Sequence, residues 1–352
     1  MFRIIVKSAI FFSAMLFVVS CSQERKTDRG FHYWKSDFVT NNIERETISN
    51  LQVKKIYVKF FDVTWNNRVQ RPEPAAKIRF DSTSLRGLKQ AGTEIIPVVL
   101  ITNETFEQII PESINSLGDR ISFLLKGLLE DNLITTTKEI QIDCDWTEST
   151  KDKYFELLKY LKLLPLFSNK QLSVVIPLYQ CKNSGKVGIP PCNRGMLMCY
   201  NMGNLTNPET NNSIIDASEL RKYADNLNSY PLPLDIALPI FEWAVLFRNN
   251  MYSGVLQNLP DSVLHNASLF KASTTRFESL SDTIVSGHEF KKGDMIRFEE
   301  SRYDEILKTA GTISPQLITP SFTVSLYHLD SVSLSKFKKE ELETIYNSLH
   351  KK

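Results

Sequence analysis

The chain has 352 residues, of which 42 are Lys or Arg and 40 are Asp or Glu. This near-neutral balance gives no electrostatic basis for binding nucleic acid, and it excludes a basic patch as the means of membrane attachment. Hydrophobic residues make up 42% of the chain, which is ordinary for a globular protein long enough to bury a large core in one or two domains.

Residues 1–20 have the pattern of a secretory signal, with a short basic start and an apolar run at 9–19. Small residues before Cys21 resemble the lipobox of bacterial lipoproteins, which implies cleavage before that cysteine and attachment of lipid to it. Ser22 rather than Asp in the next position indicates the outer membrane, with the protein facing the periplasm or the cell surface. A transmembrane anchor is the alternative, although the run is short for a span. Residues 21–30 are predicted to be a polar tether.

Eight strands, mostly alternating with helices, are predicted in chain order. The strands occupy 31–38, 55–63, 94–102, 139–146, 172–180, 194–203, 234–243 and 322–330. The helical segments are 41–50, 82–90, 116–132, 149–163, 217–228, 298–309 and 335–349. This order predicts one (β/α)8 barrel of the TIM type over 31–350, with residues 247–320 inserted over its mouth between strands seven and eight. A doubly wound open sheet is the alternative, but no glycine-rich phosphate loop follows the first strand.

The fourth predicted strand, E-I-Q-I-D-C-D-W at 139–146, has an alternating polarity that is unusual between two helices. Gln141, Asp143 and Asp145 lie on one face, and apolar side chains lie on the other. Strands of parallel sheets are normally apolar on both faces, whereas the inner face of a barrel strand leads to the mouth that carries the chemistry. We therefore expect Asp143 and Asp145 to point toward a ligand.

Four cysteines follow the predicted cleavage site. Cys144 and Cys199 fall at strand positions that face the helices, and we expect them to be small buried residues. Cys181 and Cys192 flank a loop and could form a disulfide in an oxidising compartment. None has CxxC spacing, so neither a zinc site nor any other metal or cofactor is predicted.

Acidic, amide and aromatic residues cluster at the C-terminal ends of the predicted strands, which meet at one pocket in a barrel. Aromatic rings beside carboxylates are typical of glycan sites, because a sugar stacks its C–H face on a ring while its hydroxyls bond to carboxylates and amides. The predicted substrate-binding residues are Asp62, Trp65, Tyr179, Gln180, Tyr200, Asn201, Trp243, Tyr327 and Asp330, and the predicted catalytic residues are Asp143, Asp145 and Glu242.

Three short motifs in this order, I-D-C-D-W at 142–146, M-C-Y-N at 198–201 and A-L-P-I-F at 237–241, resemble glycoside hydrolase family 18. That family includes chitinases and endo-β-N-acetylglucosaminidases, and it carries D-x-x-D-x-D-x-E on strand four and M-x-Y-D on strand six. The resemblance implies a substrate-assisted mechanism. The glutamate donates a proton, the last aspartate orients the N-acetyl group of the substrate, and the sixth-strand tyrosine hydrogen-bonds to that group.

The match to the family motifs is partial. The corresponding positions are Asp143, Asp145, Met198 and Tyr200, with Asn201 in place of the aspartate on strand six. Ile140 replaces the first aspartate, and Thr147 occupies the position of the proton donor. The neighbouring Glu148 would need a β-bulge to point inward. For hydrolysis we therefore predict Glu242 as the acid, with Asp145 or Asp143 as the stabiliser or nucleophile.

Structural roles remain open for several of these residues. Asp143 and Asp145 could cap the following helix or pair with Lys59, and Glu242 could be an exposed loop acid. Trp65 and Trp243 are also compatible with the core, and His328 with a half-buried histidine.

Three hypotheses follow. The first is a glycoside-hydrolase-like enzyme acting on glycans, and the second is a barrel that binds a glycan without cleaving it. The third is a structural or assembly lipoprotein without a ligand, which fits a weaker resemblance to barrel lipoproteins of Bacteroidetes that implies no activity. The missing glutamate favours the second over the first, and the cluster of carboxylates and aromatic rings favours either over the third.

Overall fold

A computed structural model gives the structure of residues 25–224 and 227–350. Its strands are β1 (Lys26–Tyr33), β2 (Asp37–Phe38), β3 (Lys55–Asn66), β4 (Arg71–Ala75), β5 (Arg79–Phe80), β6 (Glu94–Ile101), β7 (Glu139–Asp143), β8 (Gln171–Pro177), β9 (Arg194–Met198), β10 (Leu234–Pro239), β11 (Glu242–Arg248), β12 (Met251–Leu256), β13 (Phe270–Ser273), β14 (Arg276–Ser279), β15 (Thr283–Val285), β16 (His288–Phe290), β17 (Met295–Glu300) and β18 (Ser321–Tyr327).

The helices alternate with the barrel strands over most of the chain. They are α1 (Asn42–Asn50), α2 (Ser82–Ala91), α3 (Asn103–Gln108), α4 (Ile114–Asp131), α5 (Lys151–Leu163), α6 (Leu178–Lys182), α7 (Ser184–Val187), α8 (Ala217–Ala224), α9 (Asp261–Leu264), α10 (Tyr303–Ile313), α11 (Ser331–Leu334) and α12 (Lys339–Asn347), with short 3-10 turns at Pro111–Ser113, Leu227–Ser229 and Ser314–Gln316.

Eight parallel strands close into a barrel in the order β1-β3-β6-β7-β8-β9-β10-β18, and β18 pairs back with β1. The predicted (β/α)8 fold is therefore confirmed. Local sequence explains the regularity of the layer outside the barrel. Asn41 and Glu44 form a capping box at the start of α1, and Gly92 ends α2 in the left-handed conformation that glycine adopts without strain.

Charged residues fill the closed end of the barrel as satisfied pairs. Lys55 donates to Glu139 over 2.9 Å, and the other oxygen of Glu139 accepts a hydrogen bond from Ser173. Arg194 donates two hydrogen bonds, of 2.8 and 2.9 Å, to the buried carboxylate of Asp235. This end of the barrel is a packed ionic layer, so the open C-terminal end is left to hold a ligand.

The residues between β10 and β18 build a second layer of structure over the mouth. Its five-stranded sheet has the order β12-β11-β17-β14-β13 and is antiparallel throughout. Phe270, Phe277 and Phe290 lie in its own hydrophobic core. The sheet begins at Glu242, five residues before the insertion predicted at 247–320, and the helix predicted at 298–309 is α10, which follows β17.

Several strand ends lie away from their predicted places: β7, β8 and β9 end three to five residues early, and β1 and β10 also differ. Strand β1 begins at Lys26 and not at residue 31, so the tether predicted at 21–30 overlaps the barrel. Its first residues pair with β18 at the N-terminal end of the barrel. They are polar because this end of the strand is exposed to water. The seventh barrel strand ends at Pro239, and Glu242 begins β11, because the chain leaves the barrel there for the inserted sheet.

All four cysteines of the described chain are free thiols, so the Cys181–Cys192 pair is not formed. Cys192 instead donates to the carbonyl of Arg194. Cys144 and Cys199 are buried, as the sequence predicts. Within residues 25–224 and 227–350, no helix combines the length and apolar character needed to cross a membrane. The predicted signal at 1–20 and the lipidation site at Cys21 lie outside the described residues.

Candidate functional site

A cavity of about 990 Å³ opens at the C-terminal mouth of the barrel. Its walls come from the ends of β6, β7 and β18, from the loop after β9, and from the inserted sheet. Eight predicted site residues line it, and His328 lines it as well. These eight are Asp143, Asp145, Tyr200, Asn201, Glu242, Trp243, Tyr327 and Asp330.

Four predicted site residues lie elsewhere. Asp62 forms an ion pair with Lys59 at 3.0 Å, and Trp65 belongs to the β3–β4 hairpin, where it lines a separate hollow. Tyr179 and Gln180 belong to α6, because β8 ends at Pro177. Tyr179 is exposed, and Gln180 is buried and donates to the carbonyl of Trp146.

Asp143 and Asp145 share the wall of the cavity at the end of β7. Burial, together with the neighbouring carboxylates of Asp145 and Asp62, raises the pKa of Asp143 to about 7, while Lys59 opposes the shift. Asp145 is exposed toward the cavity, but the protein atoms around its carboxyl group partly bury it, and this burial raises its pKa. The two carboxyl groups therefore resist ionising together, and Asp143 is poised to hold or release a proton near neutral pH.

The alternative structural roles of this pair are not the ones observed. Helix α5 has Thr150 at its N-terminal cap, and Lys59 pairs with Asp62. Over the described residues 25–224 and 227–350, no group of three or more His, Cys, Asp or Glu side chains is placed to hold a metal ion. The Asp143 and Asp145 carboxyl groups are thus left facing the cavity.

An aromatic cluster forms another wall of the cavity, with Tyr327 at its centre. The Tyr327 ring lies 5.2 Å from that of Tyr200, 5.4 Å from Phe241 and 5.7 Å from Trp34 between centroids. Trp243 continues the cluster and meets Phe241 edge-to-face at 5.2 Å. Rings held against one another in this way present a rigid apolar surface beside the carboxyl groups.

Two other carboxylates of the cavity are paired with lysines. Glu242 contacts Lys336 at 2.9 Å, and Asp330 contacts Lys35 at 2.5 Å. Each of these two carboxylates therefore already has a charged partner, unlike Asp143 and Asp145. The catalytic role predicted for Glu242 stays a prediction. Its ion pair with Lys336 joins two segments of the cavity wall, which is a structural role.

The residues at the family's proton-donor position turn away from the cavity. Thr147 and Glu148 are exposed, and neither lines it. The indole of Trp146 donates to the carbonyl of Val187, and the backbone N–H of Thr147 donates to the hydroxyl of Thr150. These bonds fix a turn directly after Asp145, so no bulge brings Glu148 inward.

The sequence interpretation missed several lining residues. Trp34 and Lys35 directly follow β1, and a strand prediction ending at Tyr33 would have placed them at the mouth. Residues 257–262 and Lys336 also line the cavity. These positions carry no local signal, because the inserted sheet and the segment after α11 bring them to the mouth from distant parts of the chain.

Solved structures similar to this chain are chitinase-like barrels. A chitinase from Chromobacterium violaceum has a TM-score of 0.56 at 10% identity, with 90% of this chain and 99% of that chain covered. The spore cortex-lytic enzyme SleL of Bacillus cereus has a TM-score of 0.55 at 11% identity, with 93% and 75% covered. A mutant class V chitinase from Nicotiana tobaccum, in complex with NAG4, has a TM-score of 0.54 at 8% identity, with 91% and 99% covered.

At these identities the similarity defines the fold. The chain is a (β/α)8 barrel similar in fold to these chitinases, as the sequence predicts. No protein-family model matches the sequence, and no curated protein sequence matches it.

Proposed function

We propose that this protein binds an N-acetylated oligosaccharide in the cavity at the barrel mouth. The observation that carries the proposal is the meeting of an aromatic cluster and a pair of carboxyl groups in one cavity of about 990 Å³. Sugar rings stack their C–H faces on aromatic side chains, and their hydroxyl and amide groups hydrogen-bond to carboxyl groups. The NAG4 complex of the tobacco chitinase mutant, which shares the fold, supports this class of ligand.

The residues of this cavity favour binding of the sugar without hydrolysis, because the proton donor that the family 18 mechanism requires is missing. That mechanism needs a glutamate two positions after Asp145, and the chain has Thr147, which does not line the cavity. Glu242 is held by Lys336. Neither residue is arranged to protonate a glycosidic oxygen.

Hydrolysis through Asp143 is the second candidate, and one observation favours it. A general acid works best when its pKa lies near the working pH, and the pKa of Asp143 is raised to about 7. Asp145 would then stabilise the positive charge that develops on the sugar. In this candidate Asp143 takes the role of the acid predicted for Glu242.

Titration of the purified protein with NAG4, followed by mass spectrometry of the sugar, separates the two candidates. The proposal predicts saturable binding and intact NAG4 after long incubation. The second candidate predicts shorter products, and a rate that falls as the pH rises above about 7, because the protonated form of Asp143 is then lost. Absence of binding, both to NAG4 and across a broad glycan array, would overturn both candidates.

We further propose that the protein is a lipoprotein anchored to a bacterial membrane through Cys21, from the pattern of residues 1–21. Cells fed labelled palmitate should incorporate label into the wild-type protein, whereas Cys21→Ala protein should take up none and should keep its leader. Equal labelling of the two proteins would contradict the anchor.

A further inference from the structure

The Trp243 side chain is held by a buried carboxylate of the inserted sheet. Trp243 and Glu299 are directly opposite each other in the β11–β17 pair, and the indole N–H donates to Oε2 of Glu299 over 2.7 Å. Glu299 is only 1% exposed. A hydrogen bond to a buried carboxylate is stronger than one to a neutral acceptor, so it restricts how the indole can rotate.

The same carboxylate holds two further donors. Ser213 donates to Oε2 over 2.5 Å, and Arg297 donates through Nε to Oε1 over 2.5 Å. Arg297 itself is 1% exposed, and it also donates to the carbonyls of Asn207 and Leu205. Each nitrogen and oxygen of these side chains therefore has at least one hydrogen-bond partner, which favours a rigid network.

The network also reaches the loop after β9, which forms part of the cavity wall. Ser213 belongs to the segment between β9 and α8, which carries Tyr200 and Asn201 to the cavity wall. The backbone N–H of Asn201 donates to the carbonyl of Ile214, next to Ser213, over 2.7 Å. One carboxylate thus ties the inserted sheet, through Trp243, to the loop after β9.

We infer that Glu299 is a positioning residue for the glycan site, which fixes Trp243 at a set distance and angle from Tyr200 and Tyr327. Glu299 does not line the cavity and does not touch a ligand there. Its effect is to preorganise an aromatic surface, which lowers the cost of ordering that surface when a sugar binds. This inference rests on the proposed function, since positioning has a purpose only where a ligand stacks.

Glu299→Gln tests the inference, with two readouts. The chain has four tryptophans, so the indole N–H region of a ¹H–¹⁵N spectrum should hold four signals, and Trp243→Phe assigns one of them. We expect Glu299→Gln to shift that signal upfield and to leave the signals of the other three tryptophans in place. Affinity for NAG4 should fall roughly threefold to tenfold.

A double-variant comparison separates positioning from general damage. Adding Glu299→Gln to Trp243→Phe should cost no further affinity for NAG4, because the indole N–H that Glu299 holds is already gone. Ser213→Ala, which removes a different donor from the same carboxylate, is the matched control and should move the Trp243 signal much less than Glu299→Gln does.

The outcomes distinguish failure of this inference from failure of the proposed function. An unmoved Trp243 signal in Glu299→Gln, or equal losses of affinity in the wild-type and Trp243→Phe backgrounds, would overturn the positioning role. A shifted Trp243 signal in a protein that binds no glycan would overturn the proposed function, and the positioning role with it. Should Glu299→Gln fail to fold, the wild-type spectrum still tests the bond, because a hydrogen bond to a carboxylate should place the Trp243 indole signal downfield of the other three. A Trp243 signal upfield of the others would overturn the positioning role.

Discussion

Replacing either carboxyl group of the pair by alanine is expected to weaken NAG4 binding roughly tenfold to a hundredfold, the range for losing hydrogen bonds to a charged group. Asp143 and Asp145 both face the cavity and are free of the ion pairs that hold Glu242 and Asp330. Their oxygens are therefore available to a sugar. Calorimetric titration of Asp143→Ala and Asp145→Ala measures the loss directly.

Glu148→Ala is the matched control for this experiment. Glu148 is an acid of the turn that follows β7, but it is exposed and does not line the cavity. Its removal should leave NAG4 affinity within about twofold of wild type, because salt screens the charge of an exposed residue that does not contact the ligand. Similar losses in all three variants would mean that general electrostatics, and not the carboxyl pair, governs binding.

The second large effect concerns stability and the closed end of the barrel. Arg194→Met should lower the free energy of unfolding by about 3–5 kcal/mol, the range for breaking a buried ion pair by removing one partner. The carboxylate of Asp235 is 1% exposed, and it would keep only the backbone N–H of Thr323 as a donor. Chemical denaturation followed by circular dichroism gives the value.

Arg79→Met is the control for the ion-pair prediction. Arg79 and Asp37 have the same two-bond geometry as Arg194 and Asp235, with distances of 2.6 and 2.8 Å, but their side chains are 78% and 51% exposed. Water compensates for the lost bond there, so little change is expected. Equal destabilisation by Arg194→Met and Arg79→Met would contradict the assignment of the barrel layer as a buried network.

The sequence predicts the barrel well, because each strand and helix leaves a local pattern. The alternation at 139–146 was enough to predict that Asp143 and Asp145 face the mouth, since the side-chain period of a strand is set by its backbone. The same reasoning was less successful at strand ends. Strand β1 is set by its pairing with β18, and the exit of the chain after Pro239 is set by the inserted sheet.

The parts of the site that the sequence did not predict depend on contacts between distant residues. The ion pair of Glu242 with Lys336 and the hydrogen bond of Trp243 to Glu299 join segments more than fifty residues apart. No local pattern encodes such partners. Thr147 is the opposite case, since its identity is plain in the sequence, and the structure adds that the turn carries it out of the cavity.

The most direct test of the central claim is a crystal structure of the protein grown with NAG4 in excess. We expect sugar in the barrel mouth, with a ring stacked against Tyr327 or Trp243 and an N-acetyl or hydroxyl group within hydrogen-bonding distance of Asp143 or Asp145. The bound oligosaccharide should be uncut. An empty cavity at saturating NAG4, or sugar bound only at another surface, would contradict the claim.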